Sequence, residues 1–136
     1  MAVPFDQLDG VIWMNGEFVP WKDAKIHVLT HGLHYASAVF EGERAYGGRV
    51  FKLTEHNQRL HDSATIMGFK IPYSVAELDA ATMETLKRQG FSDAYVRPIA
   101  WRGSEMMGVS AQNNRINVAI AIWQWGSYFN PAEKLK

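Results

Sequence analysis

An α+β domain, a two-layer sandwich of a mostly antiparallel sheet with two main helices, is the fold class that three observations predict. Paired turn residues, Asn15-Gly16 and Gly47-Gly48, sit between apolar-rich runs in the first third of the chain. Two stretches with helical start and stop residues fill the middle, and two apolar strands, 94–101 and 115–125, follow them. Strands, then helices, then strands, with no regular βαβ alternation, favour helices packed on one sheet.

The elements follow in order. VIWMNGEFVPW at 11–21 places Asn15-Gly16 where a type I′ hairpin turn is needed. Residues 22–37 are mixed and histidine-rich and read as loop with a short strand. AVFEGERAY and RVFKL flank Gly47-Gly48 as a second hairpin, the glycines supplying positive φ. Thr54 is placed to cap a helix through about Met67, with Leu60, Ala64 and Met67 on one face and Gly68 ending it. Ser74 and Glu77 form a capping-box pattern for a second helix that Gly90 stops. The near-continuous RINVAIAIWQW at 115–125 reads as a strand at a sheet centre or covered on both faces, and 103–114 as the loop before it.

At 136 residues the chain is long enough for one domain that buries roughly two thirds of its unfolded surface. The 14 basic and 14 acidic residues cancel and no Lys/Arg run occurs, so neither a nucleic acid nor an anionic membrane is an expected partner. The longest apolar run, VAIAIW at 118–123, is too short to cross a bilayer, and the first residues lack the basic-then-apolar pattern of an export signal. A cysteine count of zero removes disulfides, thiolate nucleophiles and cysteine metal ligands, and fits a cytoplasmic setting. WGSYFNPAEKLK turns polar past Pro131, so 1–130 is read as the domain and 131–136 as the start of a linker.

Several residues invite chemistry, each with a plainer reading beside it. Arg59, mid-helix, is on pattern alone a solvated arginine. Tyr95 and Arg97 share one face of a strand with Val96 on the other, as an edge strand with polar residues would. Phe40 and Gly42 likewise share a face, although a phenylalanine in such a run is usually core and a glycine often a bulge. His27, His31 and His34 are close in sequence, but no ligand spacing accompanies them, so structural hydrogen bonding is preferred and no metal site is expected. Gly47-Gly48 precedes no helix start and is a turn, not a phosphate loop.

HGLHYASAVFEG at 31–42, HNQRLHDSA at 56–64 and AYVRP at 94–98, with VIWMNGE before them and WGSY after, resemble the amino-terminal small domain of branched-chain amino acid aminotransferases, fold type IV pyridoxal phosphate enzymes. The resemblance spans nearly the whole chain and favours this group over D-amino acid aminotransferases and aminodeoxychorismate lyases. It implies that Arg59 anchors the phosphate of pyridoxal 5′-phosphate, a task suited to a guanidinium fork. It implies further that Tyr95 donates to the substrate α-carboxylate, and that Arg97, joined by Tyr128, meets the distal carboxylate of glutamate. Phe40 becomes a wall of the aliphatic pocket and Gly42 leaves room for the ligand. Tyr35 and Val109 are delivered to a neighbouring subunit's site, so a homodimer at least is expected, and three dimers in a hexamer by analogy.

The implied reaction moves an amino group from leucine, isoleucine or valine to 2-oxoglutarate, giving glutamate. It requires a lysine that holds the cofactor covalently. None of the seven lysines here falls in a segment resembling that motif. The lysine and its larger domain are therefore expected beyond residue 136, no residue of this chain is assigned a catalytic role, and the 136-residue piece alone is expected to be inactive. A non-catalytic assembly or ligand-binding module of the same fold is the alternative of a different class.

Overall fold

The computed structural model describes residues 3–124. Seven strands form one sheet in the order β2-β1-β7-β6-β4-β5, with β3 also paired to β6, and every pairing is antiparallel. The strands are β1 Val11–Met14, β2 Glu17–Pro20, β3 Ala38–Phe40, β4 Glu43–Tyr46, β5 Arg49–Val50, β6 Ala94–Arg102 and β7 Ile116–Gln124. The helices are α1 His31–Tyr35, α2 Leu53–Ile66 and α3 Val75–Gln89. Helices α2 and α3 pack on each other, α3 lies on β1 and β7, and α2 reaches β3, which gives the expected two layers.

Both turn signals act as read. Asn15 and Gly16 take φ of 52° and 89°, and Gly47 and Gly48 take 58° and 79°, the positive values that match a two-residue turn to strand twist. The capping box at α3 is present in full: the Ser74 hydroxyl accepts from the Glu77 N–H and the Glu77 carboxylate accepts from the Ser74 N–H, both at 3.0 Å. Strand β7 lies between β1 and β6. Its Val118, Ile120 and Ile122 face the helices, fully buried with Val96, Ala100, Leu60, Leu78 and Leu86 in the main core. On the opposite sheet face Ile12, Trp21, Trp101 and Ala119 make a second apolar cluster.

Four expectations are corrected. Thr54 does not cap α2; the helix starts two residues earlier than that cap would place it, at Leu53 after Lys52 at φ 57°, and the Thr54 hydroxyl instead donates to Asp79 of α3 at 2.7 Å. A chain turning directly out of β5 enters the helix before Thr54, and Asp79 offers a stronger, charged acceptor. Met67 is 41% exposed and lies past the last helical residue, so the buried stripe is Asn57, Leu60 and Ala64. Asn57 is held there by donating to Asp79 at 2.7 Å. Residues 22–37 contain no strand; a short 3₁₀ turn, Trp21–Asp23, and helix α1 stand there instead. Trp21 is buried, and its indole N–H donates to the Phe5 carbonyl at 2.6 Å.

The fourth correction matters most for the site: AVFEGERAY is two strands, not one. Glu41 and Gly42 interrupt it opposite Arg97 and Pro98 of β6. The Glu41 N–H donates to the Pro98 carbonyl at 3.1 Å, but proline has no N–H to return, so the ladder breaks at that step.

Candidate functional site

Strand β6 delivers Tyr95 and Arg97 to one face, as alternation requires, while Val96 between them is fully buried in the main core. The Arg97 guanidinium lies over the Phe40 ring, 4.2 Å from its centroid, and donates to the Tyr95 hydroxyl from Nη2 at 2.7 Å and from Nε at 3.2 Å. Phe40 is 56% exposed, so it is a wall of this cluster and not a core residue. A Cβ at Gly42 would lie 2.5 Å from the Tyr95 hydroxyl, so only glycine leaves that oxygen where it is. Trp123 of β7, which the sequence motifs did not single out, backs the Tyr95 ring with centroids 4.7 Å apart. The Tyr95 oxygen accepts both of these hydrogen bonds, so Arg97 fixes the place of the hydroxyl beside Gly42.

The same face continues along β6 to Ile99 and Trp101. There an apolar cavity of about 350 Å³ opens, lined also by Ile12, Met14, Ala119 and Ala121.

On the other side of the broken strand, Glu41 turns toward α2. Its carboxylate, 6% exposed, accepts from Arg59 Nε on both oxygens at 3.1 and 3.0 Å and from Nη2 at 2.7 Å. It also accepts from His56 Nδ1 at 2.7 Å. Burial by itself would raise this carboxyl, but the hydrogen bonds and positive charge of Arg59 and His56 hold it below the ordinary value. Arg59 is in turn raised, first by the hydrogen bond to Glu41. Its side chain stays 67% exposed, at a small cleft with Lys52, Glu55 and His56. Three consecutive residues thus join the two groups: Phe40 under Arg97, Glu41 on Arg59 and Gly42 against Tyr95.

Tyr35 and Val109 come together on a second patch. The Tyr35 hydroxyl donates to the Met107 carbonyl at 3.0 Å. The buried His31 donates from Nε2 to the carbonyls of Gly108 at 2.9 Å and Val109 at 3.2 Å, so its Nδ1 accepts from Ser37 at 2.6 Å. Both members are open to solvent, Tyr35 at 43% and Val109 at 76% exposure. Arg102, buried, ties the same loop to the end of α2 by donating to Ala111 and Gly68 carbonyls at 3.0 and 3.2 Å. Tyr128 lies outside the described residues. Among the described residues no group of three or more His, Asp or Glu is placed to hold a metal, and no helix is long and apolar enough to cross a membrane.

Sequence reading missed Glu41, His56 and Trp123 as parts of these clusters. Glu41 left one signal, an acidic residue on the side of a strand that faces a helix, where burial demands a partner.

Known proteins share this fold and much of its sequence. The profile of the amino-transferase class IV family matches residues 38–135. A branched-chain-amino-acid aminotransferase of Pseudomonas aeruginosa is 49% identical over 124 residues, 88% of this chain and 40% of that protein. One from Escherichia coli strain K12 is 44% identical over 130 residues, 92% of this chain and 42% of its own length. The crystal structure of the T.th. branched-chain amino acid aminotransferase complexed with N-(5′-phosphopyridoxyl)-L-glutamate superposes with a TM-score of 0.83 at 44% identity, covering 89% of this chain and 42% of that one. The chain thus spans about two fifths of the length of these relatives. On the family match and these identities, the chain belongs to the class IV aminotransferases.

Proposed function

We propose that the full-length protein is a pyridoxal 5′-phosphate-dependent branched-chain amino acid aminotransferase, and that residues 1–130 are its small amino-terminal domain, with 131–136 beginning the link to a larger one. The carrying observation is Arg97 bracketed by the Phe40 ring and the Tyr95 hydroxyl, with Gly42 leaving the space beside them. An arginine so held can meet a distal carboxylate when the substrate is glutamate, and its cost in an apolar slot is limited when the side chain is aliphatic, because Phe40 and Tyr95 already partner it. The relative solved with a phosphopyridoxyl-glutamate ligand supports both substrate and cofactor.

Arg59 fits the phosphate. Its Nε and Nη2 edge is taken by Glu41, while Nη1 makes no hydrogen bond among the described residues, and two thirds of the side chain is exposed. When bound, the cofactor supplies the electron sink that amino-group transfer needs. This chain's residues bind and orient: Arg59 holds the phosphate, Tyr95 donates to the α-carboxylate, and Arg97 with Tyr128 receives glutamate's far carboxylate. The lysine that carries the cofactor belongs to the part of the protein this chain does not span. Tyr35 and Val109, exposed and pinned by His31, serve a neighbouring subunit's site, which makes the working unit a homodimer or a hexamer of such dimers. A cytoplasmic setting, on the zero cysteine count, is part of the same proposal.

The deciding assay supplies the full-length protein with pyridoxal phosphate, 2-oxoglutarate and either L-leucine or D-alanine. Glutamate formation from leucine is the expected result; preference for D-alanine, or no transfer, removes the reading. Gly42→Ala is expected to swing Tyr95 off Arg97 and to raise KM for leucine and glutamate about tenfold, the scale of one charge-assisted hydrogen bond. Unchanged KM values would show that the glycine serves only the backbone.

A further inference from the structure

We infer that Glu41 is a positioning residue for cofactor binding: it fixes the direction of the Arg59 fork and does not compete with the phosphate for it. The inference rests on the proposed role of Arg59 as phosphate anchor. A largely exposed arginine on a helix surface samples many rotamers, and an exposed ion pair would restrain it little. Here the partner is neither exposed nor free to move. Its backbone N–H is tied to Pro98 of β6, its carboxylate oxygen Oε1 takes a second hydrogen bond from His56, and the side chain is 6% exposed. His56 and Arg59, one helical turn apart on α2, therefore close on one carboxylate that the sheet holds still.

The contact geometry separates positioning from competition. Side-on engagement through Nε and Nη2 sets the plane of the guanidinium and leaves Nη1 outside the pairing, so a phosphate has an edge to bind without displacing the glutamate. The two readings predict opposite signs. Removing a competing negative charge strengthens phosphate binding; removing a positioning carboxylate weakens it, although the site becomes more positive.

The test uses the full-length protein and two ligands followed by absorbance titration, pyridoxal 5′-phosphate and pyridoxal, which lacks the phosphate. Glu41→Gln is expected to weaken binding of the phosphate ester about tenfold, the scale on which contacts that orient a ligating group act, while pyridoxal affinity stays within about twofold. In an Arg59→Ala background the same substitution is expected to add nothing, since the two residues act as one unit. Tighter binding of the ester, equal loss for both ligands, or a full additional loss in the Arg59→Ala background would each overturn the inference. If Glu41→Gln does not fold, the unmodified protein decides. The Arg59 Nε–H resonance, protected by Glu41, should persist through titration with pyridoxal 5′-phosphate, and its loss on binding would mean that the phosphate displaces the carboxylate. An Arg59→Ala variant with unchanged selectivity for the ester would remove the phosphate-anchor reading itself. Loss with Arg59→Ala but none with Glu41→Gln would overturn only the positioning role of Glu41.

Discussion

Replacing Arg59 with alanine in the full-length protein is expected to weaken pyridoxal 5′-phosphate binding by about two orders of magnitude, the loss of a pair of charge-assisted hydrogen bonds to one anion. Binding of pyridoxal should change little, because the interaction removed is with the phosphate. The fold should survive: the buried residues that anchor α2 are Asn57, Leu60 and Ala64, and Arg59, its side chain 67% exposed, is not among them. Glu41 would keep His56 as a partner. Arg59→Lys is expected to fall between, retaining the charge and losing the planar fork. A cofactor titration monitored by absorbance, run beside a melting curve, measures both halves. Equal cofactor affinity in the alanine variant would disprove the anchor.

The second large effect concerns stability. Glu43 of β4 is 1% exposed, faces the helices opposite Val96, and neither carboxylate oxygen has a hydrogen-bond partner among the described residues. Burial first, then the negative charges of Glu41 and Asp79, raise its carboxyl from 4.5 to about 8. The folded state therefore holds a proton that the unfolded chain has released at neutral pH. This group's contribution is fully present below about 4.5 and is lost as pH climbs toward about 8, with a slope near 1.4 kcal/mol per pH unit between them. Glu43→Gln keeps the shape and abolishes the titration. Its stability relative to the parent is expected to grow by about 3 kcal/mol between pH 5 and pH 8. Urea unfolding at a series of pH values tests this, and parallel pH profiles for the two proteins would contradict it.

Legibility in the sequence tracks how local each cause is. Asn15-Gly16, Gly47-Gly48 and Ser74 with Glu77 settle their turns and cap through neighbours a few residues away, and all three are readable. Thr54 misleads because its preferred partner, Asp79, lies on another helix, and propensity cannot see across a helix pair. The 22–37 stretch becomes turn and helix because His31 is held by Ser37 and by carbonyls of a loop more than seventy residues later. For the site, alternation alone places Tyr95 with Arg97 and Phe40 with Gly42. Their meeting, with Arg97 stacked on Phe40, needs the pairing of β3 with β6, which no local pattern encodes. The Glu41 to Arg59 pair, eighteen residues apart, is hidden for the same reason.

The interruption at Pro98 has a consequence for anyone redesigning the pocket. Phenylalanine, glutamate and glycine at 40–42 each serve a different neighbour solely because successive side chains point opposite ways. Deleting or inserting a single codon there would exchange their addresses, turning the aromatic ring toward the helix and bringing a negative charge to the arginine meant for substrate. Specificity at this step is consequently open to replacement of individual letters and closed to changes of length.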